Sequence, residues 1–139
     1  MNRDDFEMLK TDLIYFDNNA TTLKPKEVVK AIDEYYMTYT ANAHRGDYKN
    51  SLKVDMIYED TRELIRNYLN ADNSKEIIFT SGATDSLNLI AFGFGKKVLK
   101  KGDEVLISKT EHASLVLPWL RLEKEIGIKV KYMPLDSNL

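Results

Sequence analysis

Apolar and polar positions alternate with the periodicity of an amphipathic helix through much of the first half of the chain. Valine, isoleucine and tyrosine recur at helical spacing after Pro25, and a second such segment runs from Ser51 to about Leu69. This spacing predicts one helix that begins at Pro25 and another that is capped by Ser51. Residues 1–24 read as an arm, in which the apolar residues 13–16 predict a short strand before a run of turn-forming residues.

Beyond Ser74 the periodicity of the apolar positions changes. Three short runs rich in β-branched residues alternate with two segments of helical periodicity. Strands separated by helices need crossover connections, so the pattern predicts a parallel sheet of order βαβαβ and an α/β fold. The predicted strands cover residues 76–80, 104–108 and 128–133, and the predicted helices cover 83–101 and about 115–125, the latter ended by Gly127.

The predicted elements divide the chain into three parts. These are an N-terminal arm (1–24), a helical segment (25–75) and the first part of an α/β domain (76–139). Parallel sheets are normally covered on both faces and are seldom as small as three short strands. Because the chain also stops just after the last predicted strand, we expect it to be the front portion of a larger α/β protein.

Composition narrows the classes of function. The 139 residues are 43% hydrophobic and 30% charged, which is typical of a folded domain, and the net charge of −2 gives no support for nucleic-acid binding. Without cysteine, the chain can hold no disulfide, thiolate metal site or cysteine nucleophile, and its two distant histidines predict no metal centre. No segment resembles a membrane span or a secretory signal, so we expect a cytoplasmic protein without a membrane partner.

The turn at Gly82 is the strongest candidate for chemistry. A predicted strand ends, small hydroxyl residues and one glycine follow, and a helix begins at Ala83. The first N–H groups of a helix have no internal partner and lie at its positive end, so a phosphate would be held well here, with Thr84 as a further donor. The alternative is that Thr80 or Ser81 merely caps the helix.

His112 follows the second predicted strand, at the sheet edge where ligands of open parallel sheets bind. Its imidazole could titrate, ligate a metal or stack on a flat ring. The alternative is a solvated loop histidine. For His44, which lies in the polar connection before the second helix, the solvated loop is the favoured interpretation.

Four stretches together resemble the class V aminotransferase superfamily, whose members use pyridoxal 5′-phosphate (PLP). The resemblance is greatest to cysteine desulfurases, in particular the SUF-type group that includes selenocysteine lyases. It implies the N-terminal part of the large PLP-dependent transferase domain, fold type I. The stretches are Tyr15-Phe16-Asp17-Asn18-Asn19-Ala20-Thr21-Thr22, His44-Arg45-Gly46, Ile77-Ile78-Phe79-Thr80-Ser81-Gly82-Ala83-Thr84-Asp85, and Thr110-Glu111-His112 with Pro118-Trp119.

The resemblance assigns roles to eight residues. His112 matches the histidine that stacks on the pyridine ring and is thought to move protons. The turn that holds the cofactor phosphate corresponds to Gly82, Ala83 and Thr84. The residues implied to line the substrate pocket are Asn19, Ala20, His44 and Arg45.

The implied reaction converts L-cysteine to L-alanine and leaves sulfur as an enzyme persulfide for iron–sulfur cluster or thiocofactor assembly. A homodimer and a sulfur-acceptor protein are implied as well. The family's PLP-binding lysine and persulfide cysteine lie further along than residue 139, so we expect this chain alone to be inactive. In the family's sheet, residues 76–80 would also lack their neighbouring strands. The alternatives are another class V enzyme (a selenocysteine lyase, epimerase or aminotransferase) and a non-catalytic binding module.

Overall fold

The structure is a computed structural model that describes residues 2–134. It separates into two units, Met1–Ile77 and Ile78–Leu139. No helix among the described residues is both long and apolar enough to cross a membrane. The expectation that the chain stops without a closing element concerns residues 135–139, which lie outside the described part.

Helices and short turns build the first unit. Single 3-10 turns form at Arg3–Asp5, Glu7–Lys10 and Ser74–Glu76, and the longer elements are α1 (Lys26–Glu34), a π-helical segment (Tyr35–Tyr39) and α2 (Lys49–Leu69). Pro25 is the N-cap residue of α1, in an extended conformation, so the predicted helix start is confirmed to within one residue.

The start of α2 differs from the prediction. Its N-cap residue is Tyr48, so Ser51 lies inside the first turn and does not cap the helix. Ser51 is fully buried, and its hydroxyl donates a hydrogen bond to the carbonyl oxygen of Asn42 at 3.2 Å. A buried hydroxyl must find an acceptor, and the preceding loop supplies it. The predicted end of the helix is correct, because Asn70 adopts a left-handed conformation (φ 54°) directly after Leu69.

The strand predicted over residues 13–16 is wrong. This segment pairs with no strand among the described residues. Side chains instead donate hydrogen bonds to backbone carbonyl oxygens in and near it. Arg3 donates to the carbonyl oxygen of Leu13 at 2.7 Å, and the Tyr15 hydroxyl donates to that of Thr21 at 2.6 Å. The residues are apolar enough for a strand, but a strand also needs a partner.

The second unit contains the α/β part. Its elements are α3 (Ala83–Asn88), a π-helical segment (Leu89–Gly95), α4 (Lys96–Val98), β1 (Glu104–Ser108), α5 (Ala113–Ile126) and β2 (Lys129–Met133). The helix predicted over 83–101 therefore exists, but it ends three residues earlier and has a π-helical middle. Gly127 ends α5 in a left-handed conformation, as predicted.

The two strands pair in parallel, with Val105 opposite Val130 and Ile107 opposite Tyr132, and α5 is the crossover between them. The parallel α/β prediction is confirmed for these elements. The strand predicted over residues 76–80, the first of the three, is wrong. Ser74–Glu76 forms a 3-10 turn, and residues 77–80 pair with no strand in the described part of the chain. This agrees with the expectation that these residues would lack neighbouring strands.

A small apolar core fixes α5 to the rest of the second unit. Leu122 and Ala91 are fully buried and Ile128 is 2% exposed, and the partly buried Trp119 packs against them. Trp119 lies so close to Gly95 that a Cβ there would be 2.8 Å from its ring. Since α5 carries His112 at its start, this core is what positions that histidine.

Candidate functional site

The turn before α3 has a conformation that only glycine adopts readily. Gly82 has φ 157° and ψ 178°, and it is the N-cap residue of α3. A Cβ built on Gly82 would meet no atom within 4 Å, so open space adjoins the start of the helix. An anion could therefore approach the backbone N–H groups that follow Gly82.

The alternative that Thr80 or Ser81 merely caps α3 is wrong, because no side chain in the described chain caps this helix. The Thr80 hydroxyl lies 2.7 Å from that of Ser86 and donates to the carbonyl oxygen of Gly82. Asp85 reaches back, and its carboxylate accepts hydrogen bonds from the N–H and hydroxyl of Ser81 at 3.2 and 3.1 Å. These contacts hold the turn and leave the first N–H groups of α3 without a helical partner.

A groove of about 290 Å³ runs between α3 and α5. Thr84 is exposed at its edge, and within residues 2–134 its hydroxyl makes no hydrogen bond. Residues of α3, of the π-helical segment and of α5 line the groove, among them Thr84, Asn88, Phe92, Ala113, Ser114 and Leu117. The structure thus places Thr84 and the two residues that directly follow His112 on one groove, whereas Gly82, Ala83 and His112 are not part of its lining.

His112 is exposed and caps α5 with its own ring. Its backbone is extended (φ −67°, ψ 148°), and ring atom Nδ1 accepts a hydrogen bond from the N–H of Ser114 at 3.2 Å. The Ser114 hydroxyl lies 2.8 Å from the same nitrogen. Sequence reasoning missed this contact, because histidine is not among the residues that usually cap helices. The ring is exposed, as that of a solvated loop histidine would be, but its contacts with Ser114 hold it in place.

Arg121 at the far end of the groove belongs to an ion-pair network. Its Nε donates to Glu125 at 2.6 Å, and Lys96 approaches the same carboxylate at 2.9 Å. The hydrogen bond from Arg121, with that from Lys96, holds the pKa of Glu125 below its ordinary 4.5. Arg121 also lies over the ring of Phe92, 5.2 Å from its centre. Three charged side chains therefore meet at this end of the groove.

In the first unit His44 is strained and paired. Its φ of 56° is unusual for a residue other than glycine, and its N–H donates to Asp55 at 2.5 Å. The ring lies 3.6 Å from Asp55 and 3.4 Å from Glu59, and edge-on to Tyr58. His44 is exposed, as a solvated loop residue would be, but the two carboxylates were missed. Their i,i+4 spacing on one helix face was the available signal.

The remaining residues assigned to the substrate pocket are exposed. Arg45 follows His44 and makes no hydrogen bond or ion pair within the described residues. Asn19 and Ala20 lie in a turn in which the N–H of Ala20 donates to the carbonyl oxygen of Asp17 at 3.1 Å. Their place in a pocket stays a prediction. Within residues 2–134 no three His, Asp or Glu side chains are grouped to hold a metal ion.

Comparison with known proteins extends these observations. Residues 14–139 match the class-V aminotransferase domain. A probable cysteine desulfurase of Pyrococcus abyssi is 43% identical over 130 residues, which are 94% of this chain and 32% of that protein. The chain spans about a third of the length of the curated relatives it matches.

Solved structures share the fold. An apo cysteine desulfurase from Thermococcus onnurineus NA1 superposes with a TM-score of 0.89 and 40% identity, covering 96% of this chain and 33% of that one. C-DES, solved with glycine covalently linked to its PLP cofactor, superposes with a TM-score of 0.80 and 18% identity. The superposition covers 97% of this chain and 34% of the C-DES chain. The predicted fold class is confirmed, and the chain belongs to the class-V aminotransferase family.

Proposed function

We propose that this chain forms the first part of a PLP-dependent cysteine desulfurase. The enzyme would convert L-cysteine to L-alanine and retain the sulfur as an enzyme persulfide for iron–sulfur cluster or thiocofactor assembly. The observation that carries the proposal is the open start of α3 after Gly82, in a chain 43% identical to a probable cysteine desulfurase.

The residues at the start of α3 fit the phosphate of PLP. The N–H groups that follow Gly82 have no helical partner, the Thr84 hydroxyl makes no hydrogen bond in residues 2–134, and the space beside Gly82 is open. A phosphate needs several donors at once, and a helix start beside a hydroxyl supplies them. Asp85 and Thr80 hold the turn in this conformation from within.

His112 offers a flat surface for the pyridine ring. When bound, PLP supplies an electron sink for the reaction, and a ring stacked on it fixes the plane in which electrons delocalise. The cap that His112 forms on α5 holds the imidazole in one place before any ligand arrives. Ring stacking is therefore the role that we assign to His112. The resemblance to class V enzymes implies a second role for this residue, proton transfer.

Asn19, Ala20, His44 and Arg45 would line the substrate pocket. Arg45 is exposed and makes no hydrogen bond or ion pair within the described residues, so its guanidinium is available for an anionic group at such a pocket. A homodimer, a sulfur-acceptor protein and a cytoplasmic location complete the proposal and stay predictions.

The 139 residues contain no cysteine, so the persulfide must form on a residue outside them. No lysine here matches the motif of the PLP-binding lysine in the resemblance. We therefore expect the 139-residue chain alone to release no sulfide and to bind PLP only weakly.

The protein expressed from its complete coding sequence tests the proposal. We expect a PLP absorbance band, and alanine and sulfide in equal amounts from L-cysteine with a reductant. Thr84→Val should weaken PLP binding about 10- to 100-fold, the value of one hydrogen bond to a charged group. Thr61→Val is the matched control, because the Thr61 hydroxyl only bonds back to Ile57 within α2. A protein with neither the band nor sulfide release would contradict the proposal.

A further inference from the structure

The hydrogen bonds of His112 fix which of its nitrogens is protonated. A backbone N–H can only donate, so Nδ1, which accepts from the N–H of Ser114 at 3.2 Å, must carry a lone pair. The Ser114 hydroxyl, 2.8 Å from Nδ1, can donate to the same atom. A neutral imidazole carries one proton, which therefore lies on Nε2.

We propose that Ser114 is a positioning residue that holds His112 as the Nε2–H tautomer, which makes the imidazole a stacking surface and hydrogen-bond donor and leaves it no free lone pair to accept a proton. The part that concerns PLP rests on the proposed function, whereas the tautomer does not. Proton transfer by His112 would first require that the cap on α5 be released, since Nδ1 is occupied by Ser114 and Nε2 already carries its proton.

The chain supports the cap from several sides. α5 begins directly at Ala113 and is held at its middle by the fully buried Leu122, so the N–H of Ser114 has a fixed place. At its far end, Glu123 of the same helix accepts a hydrogen bond from the N–H of Val130 in β2 at 2.8 Å. The donor that selects the tautomer is therefore part of a rigid element, which distinguishes it from a mobile serine side chain.

Nitrogen NMR of the histidine-labelled protein tests the tautomer without cofactor or substrate. At a pH where the ring is neutral, we expect Nδ1 of His112 at the shift of an unprotonated nitrogen and Nε2 at that of a protonated one. Ser114→Ala keeps the backbone N–H from which Nδ1 accepts, so both shifts should stay close to those of the wild type, whereas Ser114→Pro, which removes this N–H in the first turn of α5, should move them toward the mixed values of a free imidazole. A protonated Nδ1 in the neutral wild-type ring would overturn the proposal.

Two substitutions separate hydrogen-bond donation from proton transfer in the complete protein with PLP. Asparagine places its oxygen near the position of Nδ1 and can keep the cap, whereas the glutamine amide can donate from near the position of Nε2 but cannot titrate. We expect His112→Gln to retain about tenfold more activity than His112→Asn, the value of one retained hydrogen bond. His112→Asn should remain the more heat-stable of the two.

The outcomes are distinct. Neither amide side chain can replace the stacked ring, so both variants should lose activity relative to wild type; equal activity in the two would show that donation from the position of Nε2 contributes nothing beyond stacking and would overturn the donor role. A complete protein that lacks desulfurase activity altogether, with the Nε2–H tautomer still observed by NMR, would refute the proposed function and support the positioning role of Ser114.

Discussion

The two histidine turns of this chain are held in opposite ways. His44 takes a strained left-handed backbone (φ 56°), and carboxylates of α2 hold its N–H and its ring. His112 has an unstrained extended backbone, and its own ring stabilises the start of α5 by accepting a hydrogen bond from the N–H of Ser114. One imidazole is thus restrained by charge from a neighbouring helix and the other by the backbone of the helix that it begins.

The difference extends to what lies beneath each turn. Behind His112, α5 is fixed by an apolar core that contains the fully buried Leu122. Near His44, the fully buried side chain is the polar Ser51, and much of the apolar surface of α2 is exposed, including Leu64 at 66%. A cavity in the core should therefore disturb the turn at His112, whereas loss of a carboxylate should disturb the turn at His44.

Leu122→Ala should give the largest effect. Truncating a fully buried leucine costs about 2–5 kcal/mol, because the lost burial adds to the cost of the cavity. Urea unfolding should show this loss, and amide exchange should show it in the second unit, including the Ser114 amide that binds His112. Leu64→Ala is the control, since an exposed leucine should cost within about 0.5 kcal/mol. Equal effects of the two variants would mean that the core does not anchor α5.

Much of the second unit was accessible from sequence, for a physical reason. β1, β2 and α5 were predicted because β-branched runs and helical spacing are local signals, and Gly127 ends α5 where its positive φ requires glycine. Residues 76–80 show the limit of such signals. Their β-branched pattern reports a preference for extended backbone, but a strand forms only where another strand offers hydrogen bonds, and sequence does not supply that partner.

The candidate site shows the same limit. The open start of α3 was predicted because helix ends leave N–H groups unpaired in any helix. The contacts that hold Gly82 in place, from Thr80 and Asp85, were not predicted, because several side chains compete for the same turn and a capping serine or threonine was the simpler choice. His44 was missed as a paired residue because Asp55 lies eleven positions away.

Asp55→Ala should have an intermediate effect, confined to the first unit. The variant removes the acceptor of the His44 N–H while the strained backbone remains, which should cost about 1 kcal/mol. Amide exchange should show loss of protection at His44 and no change at Ser114. Asp60→Ala is the matched control, an exposed carboxylate on the same helix that makes no bond within the described residues. Unchanged protection of the His44 amide in the Asp55 variant would mean that the hydrogen bond to Asp55 does not stabilise the strained turn.

The smallest expected effect is a difference in acid response between the two units. Hydrogen bonds from arginine lower the pKa of Glu125 in the second unit and of Glu63 in the first below the ordinary 4.5. A carboxyl with a lowered folded pKa stabilises above its unfolded value, and this contribution is lost as the pH falls through the folded value. Since Lys96 of α4 also binds Glu125, acid should loosen α4 from α5, whereas the Glu63–Arg66 pair lies within one helix.

Carbon NMR titration of the two carboxyl groups provides the measurement. Arg121→Gln should raise the pKa of Glu125 toward 4.5 and leave that of Glu63 unchanged, and Arg66→Gln should do the reverse, because each arginine supplies the largest contribution to its own partner. Amide exchange below about pH 4.5, the ordinary value of an unpaired glutamate, should then increase at the contact of α4 with α5 before it increases within α2. If acid opened both places together, the ion pair that bridges the two helices would stabilise the second unit no more than a pair within a single helix does.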